Sequence, residues 1–263
     1  MDIQAIASGF ARAQAANATY TPPSAALQRA LTLPEAYAVQ RAFVAVRGER
    51  EQVVGYKSAA NAPALQQRLS LATPIVGALF ANGARANGAS VNVADFRTLL
   101  IETELGFRTA REIEAPVKSL AELRNAISTV TPMFELADPG FGRAPMTGTD
   151  LVAANAASSG YVCGPALPAL AVDMNATRVR LTKDGTTLHE AEGRDLMGDQ
   201  WEALRWLVNT VLAEGYAIEP GQLLMTGALG GAHPASPGRY RAEFGGPAAA
   251  ALGAVEIDVV DAR

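Results

Sequence analysis

A chain of 263 residues with 22 Lys and Arg against 26 Asp and Glu carries a net charge of −4. Its composition, 49% apolar and 18% charged, excludes a disordered chain and supplies a sizeable core. No basic surplus exists to neutralise nucleic-acid phosphates, and a single cysteine, Cys163, excludes an intrachain disulfide and a Cys-rich zinc site.

Residues 1–50 read as helical. Ile3, Ile6, Phe10 and Ala13 fall at helical spacing, and Ala36, Val39, Phe43 and Val46 share one face of a second helix over 34–47. Pro22-Pro23 separates the two. Residues 52–57 read as a strand, 63–71 as a helix, and 74–80 and 90–93 as short strands or turns. Residues 99–108 form the next strand. Ser119-Leu120-Ala121-Glu122 fits a capping box, with Leu120, Leu123 and Ile127 as its apolar stripe. Residues 132–136 are short and extended, and the Gly- and Pro-rich 138–150 form a long loop. Strands follow at 161–163, 178–182 and 186–190, the last two joined by an Asp184-Gly185 hairpin turn. Asp199 caps a helix whose Trp201, Leu204, Leu207, Val208 and Val211 face one way, and Gly215 ends it. Strands at 223–226, 239–244 and 255–260 close the chain. The alanine run 248–251 suggests no function. The pattern divides the chain into a mainly helical region, 1–80, and a β-rich catalytic domain, 81–263.

No basic opening segment precedes an apolar stretch at the N-terminus, and no run of about 18 apolar residues occurs. A soluble cytoplasmic protein is therefore expected, with no membrane and no nucleic-acid partner.

The clearest chemistry lies in Ile101-Glu102-Thr103-Glu104-Leu105. Side chains alternate along a strand, so Glu102 and Glu104 share a face. Two readings stand: the solvated face of an amphipathic strand, or a carboxylate pair around a hard divalent cation. Glu135, set among apolar neighbours in Pro132-Met133-Phe134-Glu135-Leu136, requires a partner, either a metal or an arginine. Lys57 follows Val53-Val54-Gly55-Tyr56 and is either a surface charge or a group that binds a carboxylate or moves a proton.

Taken in order, these segments resemble the fumarylacetoacetate hydrolase superfamily, in its hydratase and decarboxylase branch. The resemblance runs through Val54-Gly55-Tyr56-Lys57, Thr73-Pro74, Gly77-Ala78-Leu79-Phe80, Ile101-Glu102-Thr103-Glu104-Leu105 and Pro132-Met133-Phe134-Glu135. It continues through Asn155-Ala156-Ala157-Ser158-Ser159, Ala203-Leu204-Arg205-Trp206-Leu207 and Leu224-Met225-Thr226-Gly227-Ala228-Leu229-Gly230. The resemblance implies an α+β fold, a β-rich roll or sandwich with a small helical N-terminal part. It implies one divalent metal, Mg²⁺ or Mn²⁺ (Ca²⁺ as a stand-in), on Glu102, Glu104 and Glu135. It makes Lys57 and Ser158 catalytic, the serine by orienting water, although a serine-rich turn is an equal reading of Ser158-Ser159. Thr226 and Gly227 would lie beside substrate.

The implied activity is metal-dependent hydration of 2-hydroxy-2,4-dienoates in catabolism through a chelated 2-oxo acid enolate. Decarboxylation of 4-oxalocrotonate or related 2-oxo acids, and a non-catalytic partner that keeps the fold, are the alternatives. A homo-oligomer is implied, alone or complexed with a paired decarboxylase or hydratase. Several motifs depart from the family pattern. Lys57 is followed by Ser58-Ala59-Ala60-Asn61, where the family has Ile-Gly-Leu-Thr. Leu99-Leu100 replaces Pro-Arg, Ala154-Asn155 replaces Asp-Asn, and Gly198-Asp199-Gln200 replaces Gly-His-Pro. These changes put the pocket lining, and so the substrate tail, apart from the usual pattern. The two histidines, His189 and His233, do not sit where the water-activating dyad of hydrolytic members would lie, though the Gly-rich segment before His233 could bring it near the pocket. Cys163 reads as a core residue.

Overall fold

The computed structural model describes residues 1–246 and 249–261. Three helices open the chain: α1 (Ile3–Ala15), α2 (Pro23–Leu27) and α3 (Leu33–Gly48). Asp2 caps α1, and Thr32 with Glu35 forms a capping box on α3. The apolar stripes behave as read. Phe10 of α1 meets Phe43 of α3 edge-on, and both are buried.

The strands that follow form two sheets. The nine-stranded sheet has β1 (Val53–Ala59), β2 (Ile75–Phe80), β3 (Ala84–Arg85), β5 (Leu100–Thr109), β6 (Ile127–Ala137), β7 (Gly160–Cys163), β8 (Leu167–Pro168), β11 (Leu223–Met225) and β12 (Leu229–Pro234). Its order is β2-β1-β11-β5-β6-β7-β3, with β12 paired to β5 and β8 to β6. The five-stranded sheet has β4 (Ser90–Asn92), β9 (Arg178–Lys183), β10 (Thr186–Glu192), β13 (Gly238–Gly246) and β14 (Ala249–Val260), in the order β10-β9-β13-β14-β4. The sheets meet where β14 lies against β6 and β10 against β12. Short helices α4 (Pro63–Leu69), α5 (Leu120–Arg124) and α6 (Gly148–Ala153) fill connections, and α7 (Gln200–Ala213) packs on β1, β2 and β11. This is the mixed helix and strand architecture with curled sheets that the sequence implied.

Several details differ from the sequence reading. β1 and β2, on the N-terminal side of residue 81, belong to the same sheet as β5, β6 and β11. α5 stops at Arg124, so Ile127 opens β6 instead of extending a helical stripe. Ser119 does accept from the Glu122 N–H, but the Glu122 carboxylate accepts from the Lys118 N–H. β6 is twice the length expected because Pro132 costs it little. The Pro132 carbonyl accepts from Gly164, so its missing N–H faces the gap between β7 and β8. Ala248 lies outside the described residues.

Candidate active site

Antiparallel pairing of β5 with β6 sets Glu102 directly opposite Glu135, with Glu104 two residues along on the same face. One carboxylate oxygen from each of Glu102, Glu104 and Glu135 lies within 4.8 Å of the others. Lys57 enters from β1, three strand positions away from β6. Side chains stand upright on a sheet, so the ammonium reaches Glu135 because the sheet curls around them. Its Nζ lies 2.8 Å from Oε1 of Glu135 and donates to Oε2 at 3.0 Å. Lys57, Glu104 and Glu135 are all buried.

Three acids around one ammonium are poorly compensated. Burial, then the Glu135 carboxylate, pushes Glu102 up to about 7, with Lys57 pulling the other way. Burial first, then Glu135 and Glu102, holds Glu104 well above the ordinary carboxylate range. Burial also raises Glu135 against the opposing pull of Lys57. For Lys57 itself burial favours the neutral amine, but Glu135, Glu102 and Glu104 outweigh it and the net movement is upward. Glu104 Oε2 accepts from the Gly227 N–H at 2.9 Å, whereas its buried Oε1 has no hydrogen-bond partner among the described residues. An all-oxygen donor set with an open oxygen, which together with Lys57 carries a net −2 once its three acids are ionised, fits one hard divalent cation.

Lys57 and Glu102 open onto a cavity of about 500 Å³. Ala59, Ala60, Asn61 and α4 form one wall. Leu100, Ala137, Pro139, Met146 and Leu151 form another, and Ala228 with Gly230, Gly231 and Ala232 a third. A more open groove of about 590 Å³ on the five-stranded sheet is lined by Arg178, Arg180, Glu192 and Glu243. Those charges pair with each other, Arg178 with Glu192 and Arg180 with Glu243, so the groove presents no free functional group of that set.

The remaining expected residues lie close by, but their polar groups point inward. The Thr226 hydroxyl donates to Gln200 Oε1 at 2.9 Å, and its carbonyl accepts from Ser58 Oγ at 2.6 Å. Gly227 spends its N–H on Glu104 and adopts φ +120°, where an added Cβ would stand 2.1 Å from Asn61 Oδ1. Neither residue lines the cavity, although the next one, Ala228, does. Ser158 is likewise absent from the lining, and its hydroxyl donates to the Ala78 carbonyl at 2.8 Å. The same carbonyl accepts from Asn155 Nδ2, whose Oδ1 in turn accepts from the Ala78 N–H at 2.7 Å. This anchoring holds Asn155, Ala156 and Ala157 in three successive left-handed conformations, φ 60°, 52° and 62°. The turn delivers Ala156 and Ala157 to the cavity wall.

His233 does not join the cavity lining either. It stacks on His189, and Nδ1 of His189 lies 2.7 Å from Nε2 of His233. Thr103 donates its hydroxyl proton to the Leu229 carbonyl. His189 Nε2 therefore carries a proton toward Thr103 Oγ1, 3.1 Å away, and Nδ1 accepts from His233. Cys163 is half-buried beside Leu79, Met133 and Met225, and burial pushes its thiol up.

Sequence reasoning missed three residues. Gln200 anchors Thr226, and Asn61 and Arg68 line the cavity. The Lys-Ser-Ala-Ala-Asn departure after Lys57 was the available signal for Asn61. Arg68 lies in the last turn of α4 with no patterned neighbour to mark it.

The model of the fumarylacetoacetate (FAA) hydrolase C-terminal family matches residues 37–257. The chain belongs to this family. Among its relatives, a 2-keto-4-pentenoate hydratase from Paraburkholderia phymatum is 29% identical over 87% of each chain. Another 2-keto-4-pentenoate hydratase, from Burkholderia vietnamiensis, is 30% identical over 74% of this chain and 75% of its own. The fold matches that of 4-oxalocrotonate decarboxylase from Pseudomonas putida G7, complexed with magnesium and adipate. The TM-score is 0.90 at 23% identity, over 98% of this chain and 97% of that one. Other solved structures share the fold more loosely. 2-hydroxyhepta-2,4-diene-1,7-dioate isomerase from Mycobacterium marinum aligns with a TM-score of 0.59 at 16% identity, over 80% of this chain and 77% of its own. Among the described residues no helix is long and apolar enough to cross a membrane.

Proposed function

We propose that the chain is a divalent-metal-dependent lyase, a hydratase of 2-hydroxy-2,4-dienoates of the 2-keto-4-pentenoate type. The observation that carries this reading is the convergence of Glu102, Glu104 and Glu135 beside Lys57 at one end of an apolar cavity. Relatives bearing the hydratase name, matched over 87% and 75% of their own length, support it.

Glu102, Glu104 and Glu135 would hold Mg²⁺ or Mn²⁺. When bound, such an ion supplies Lewis acidity to the carboxylate and 2-oxo oxygens of a 2-oxo acid. Lys57 opens onto the cavity from its contact with Glu135. It attracts the substrate carboxylate and moves a proton to or from the carbon chain. The Gly227 N–H fixes one oxygen of Glu104 and leaves the other free, while Thr226 ties that turn to Gln200. These two are therefore assigned as positioning residues for the acidic cluster. Ser158 takes the same kind of part for the Ala156–Ala157 wall, by holding Ala78. The apolar walls exclude bulk water, which keeps these charges strong. The reading includes a small-molecule substrate, a cytoplasmic location, which rests on the N-terminal and hydropathy reading, and a homo-oligomeric assembly, which rests on the family resemblance.

The test is turnover of 2-hydroxypenta-2,4-dienoate with Mg²⁺ or Mn²⁺, before and after EDTA. Loss of the dienol absorbance with a 4-hydroxy-2-oxo acid product, abolished by EDTA, is expected. EDTA-resistant turnover would overturn the metal assignment. Release of CO₂ from 4-oxalocrotonate without dienoate hydration would make the protein a decarboxylase instead.

A further inference from the structure

The cavity is larger and more apolar than a five-carbon dienoate needs. Cavities of roughly 300–1,000 Å³ enclose drug-sized ligands, and this one measures about 500 Å³. Its polarity is also graded. Lys57 and Glu102 stand at one end. Exposed Arg68 and Asp195, opposite in sign, stand on the solvent side. Between them the wall includes Leu65, Leu69, Leu100, Met146 and Leu151, together with several alanines. Leu65 and Leu69 project from α4, in a segment directly after the departure Ser58-Ala59-Ala60-Asn61. They are half-buried and pack on the core with one side, leaving the other for a ligand.

We propose that the site takes 2-hydroxy-2,4-dienoates whose far end carries an extended, uncharged apolar substituent, an alkyl chain or an aryl ring, held by Leu65 and Leu69 of α4. This rests on the dienoate reading above and sharpens it. A charged tail is disfavoured on two grounds. It would desolvate against the leucines, and the exposed lining residues include an acid, Asp195, as well as the cation Arg68. An apolar tail gains about fourfold in affinity for each methylene taken out of water.

The experiment is calorimetric binding of saturated 2-oxo acids, which cannot be hydrated, to the Mg²⁺-loaded protein. The series is 2-oxobutanoate, 2-oxohexanoate and 2-oxooctanoate, with 2-oxoadipate as the charged-tail member. Affinity should rise by about fourfold per methylene, and 2-oxoadipate should bind more weakly than 2-oxohexanoate. Leu69→Asp should flatten the series. Leu65→Asp, at an independent position on the same surface helix, should flatten it too, so misfolding of one variant leaves the other as a test. A flat wild-type series overturns the inference, as does preference for 2-oxoadipate. A steep series without turnover of any dienoate supports the apolar-tail site and removes the hydratase reading, so the two failures are separable.

Discussion

At the scale of single residues, the site is a problem of uncompensated charge. Glu104 is buried, one of its oxygens is unpartnered, and its carboxyl is held in the protonated direction by burial and by two neighbouring acids. Removing its charge should cost metal binding but relieve the metal-free protein. Glu104→Gln keeps an oxygen for the Gly227 N–H. It should abolish Mg²⁺ binding in calorimetry and raise the metal-free Tm by a few degrees, at about 2–4 °C per kcal/mol for a chain of this size. Retained Mg²⁺ affinity would remove Glu104 from the ligand set. The sequence exposed this residue because a Glu-x-Glu strand puts both acids on one face. It could not say that Glu102 faces Glu135, since register between strands depends on the whole sheet. Nor could it show that the Thr226, Gly227 and Ser158 polar groups turn inward, because each does so through a partner far along the chain, at Gln200, Glu104 and Ala78.

At the scale of elements, legibility followed periodicity. α7 was readable from its apolar stripe and from Asp199, which accepts from the Trp201 and Glu202 N–H groups. β12 was not readable, because Leu229-Gly230-Gly231-Ala232 reads as a loop and its pairing with β5 is irregular. Yet β12 carries half of a clamp between the sheets. His233 lies on it, and His189 lies on β10 of the other sheet. Burial, then His233, lowers His189 to about 4. A depressed histidine stabilises the fold fully above its unfolded value near 6.5. That contribution is lost as pH falls through the folded value of about 4. Protonation at Nδ1 would leave two N–H groups facing each other. The Tm of the wild type should therefore fall between pH 6.5 and 4 more steeply than that of His189→Phe. Parallel pH profiles would show that the pair carries no such linkage.

At the scale of the whole molecule, the acidic cluster ties ligand binding to folding. An ion bound by the native state and not by the unfolded chain adds about 2.7 kcal/mol at a hundredfold excess over its Kd. For this chain length that corresponds to a rise in Tm of roughly 5–10 °C, reversed by EDTA in differential scanning calorimetry. An unchanged Tm across Mg²⁺ concentrations would argue that the cluster does not bind the ion in the folded state. The fold class was legible from the order of motifs along the chain. The strand order was not, because β1 finds its parallel partner β11 at the far end of the sequence.

That partner is three residues long, Leu223–Met225, and among the described residues it alone bridges β1 to β5 in the sheet. Synthesis from the N-terminus makes Lys57 and all three acids long before it makes Leu223. Until β11 emerges, the β1–β2 hairpin and the β5–β6 hairpin are separate pieces, one carrying the ammonium and the other the carboxylates. Leu223–Met225 is thus the keystone of the architecture. A chain truncated before it would hold every reactive group of the site, yet leave the ammonium of β1 apart from the carboxylates of β5 and β6.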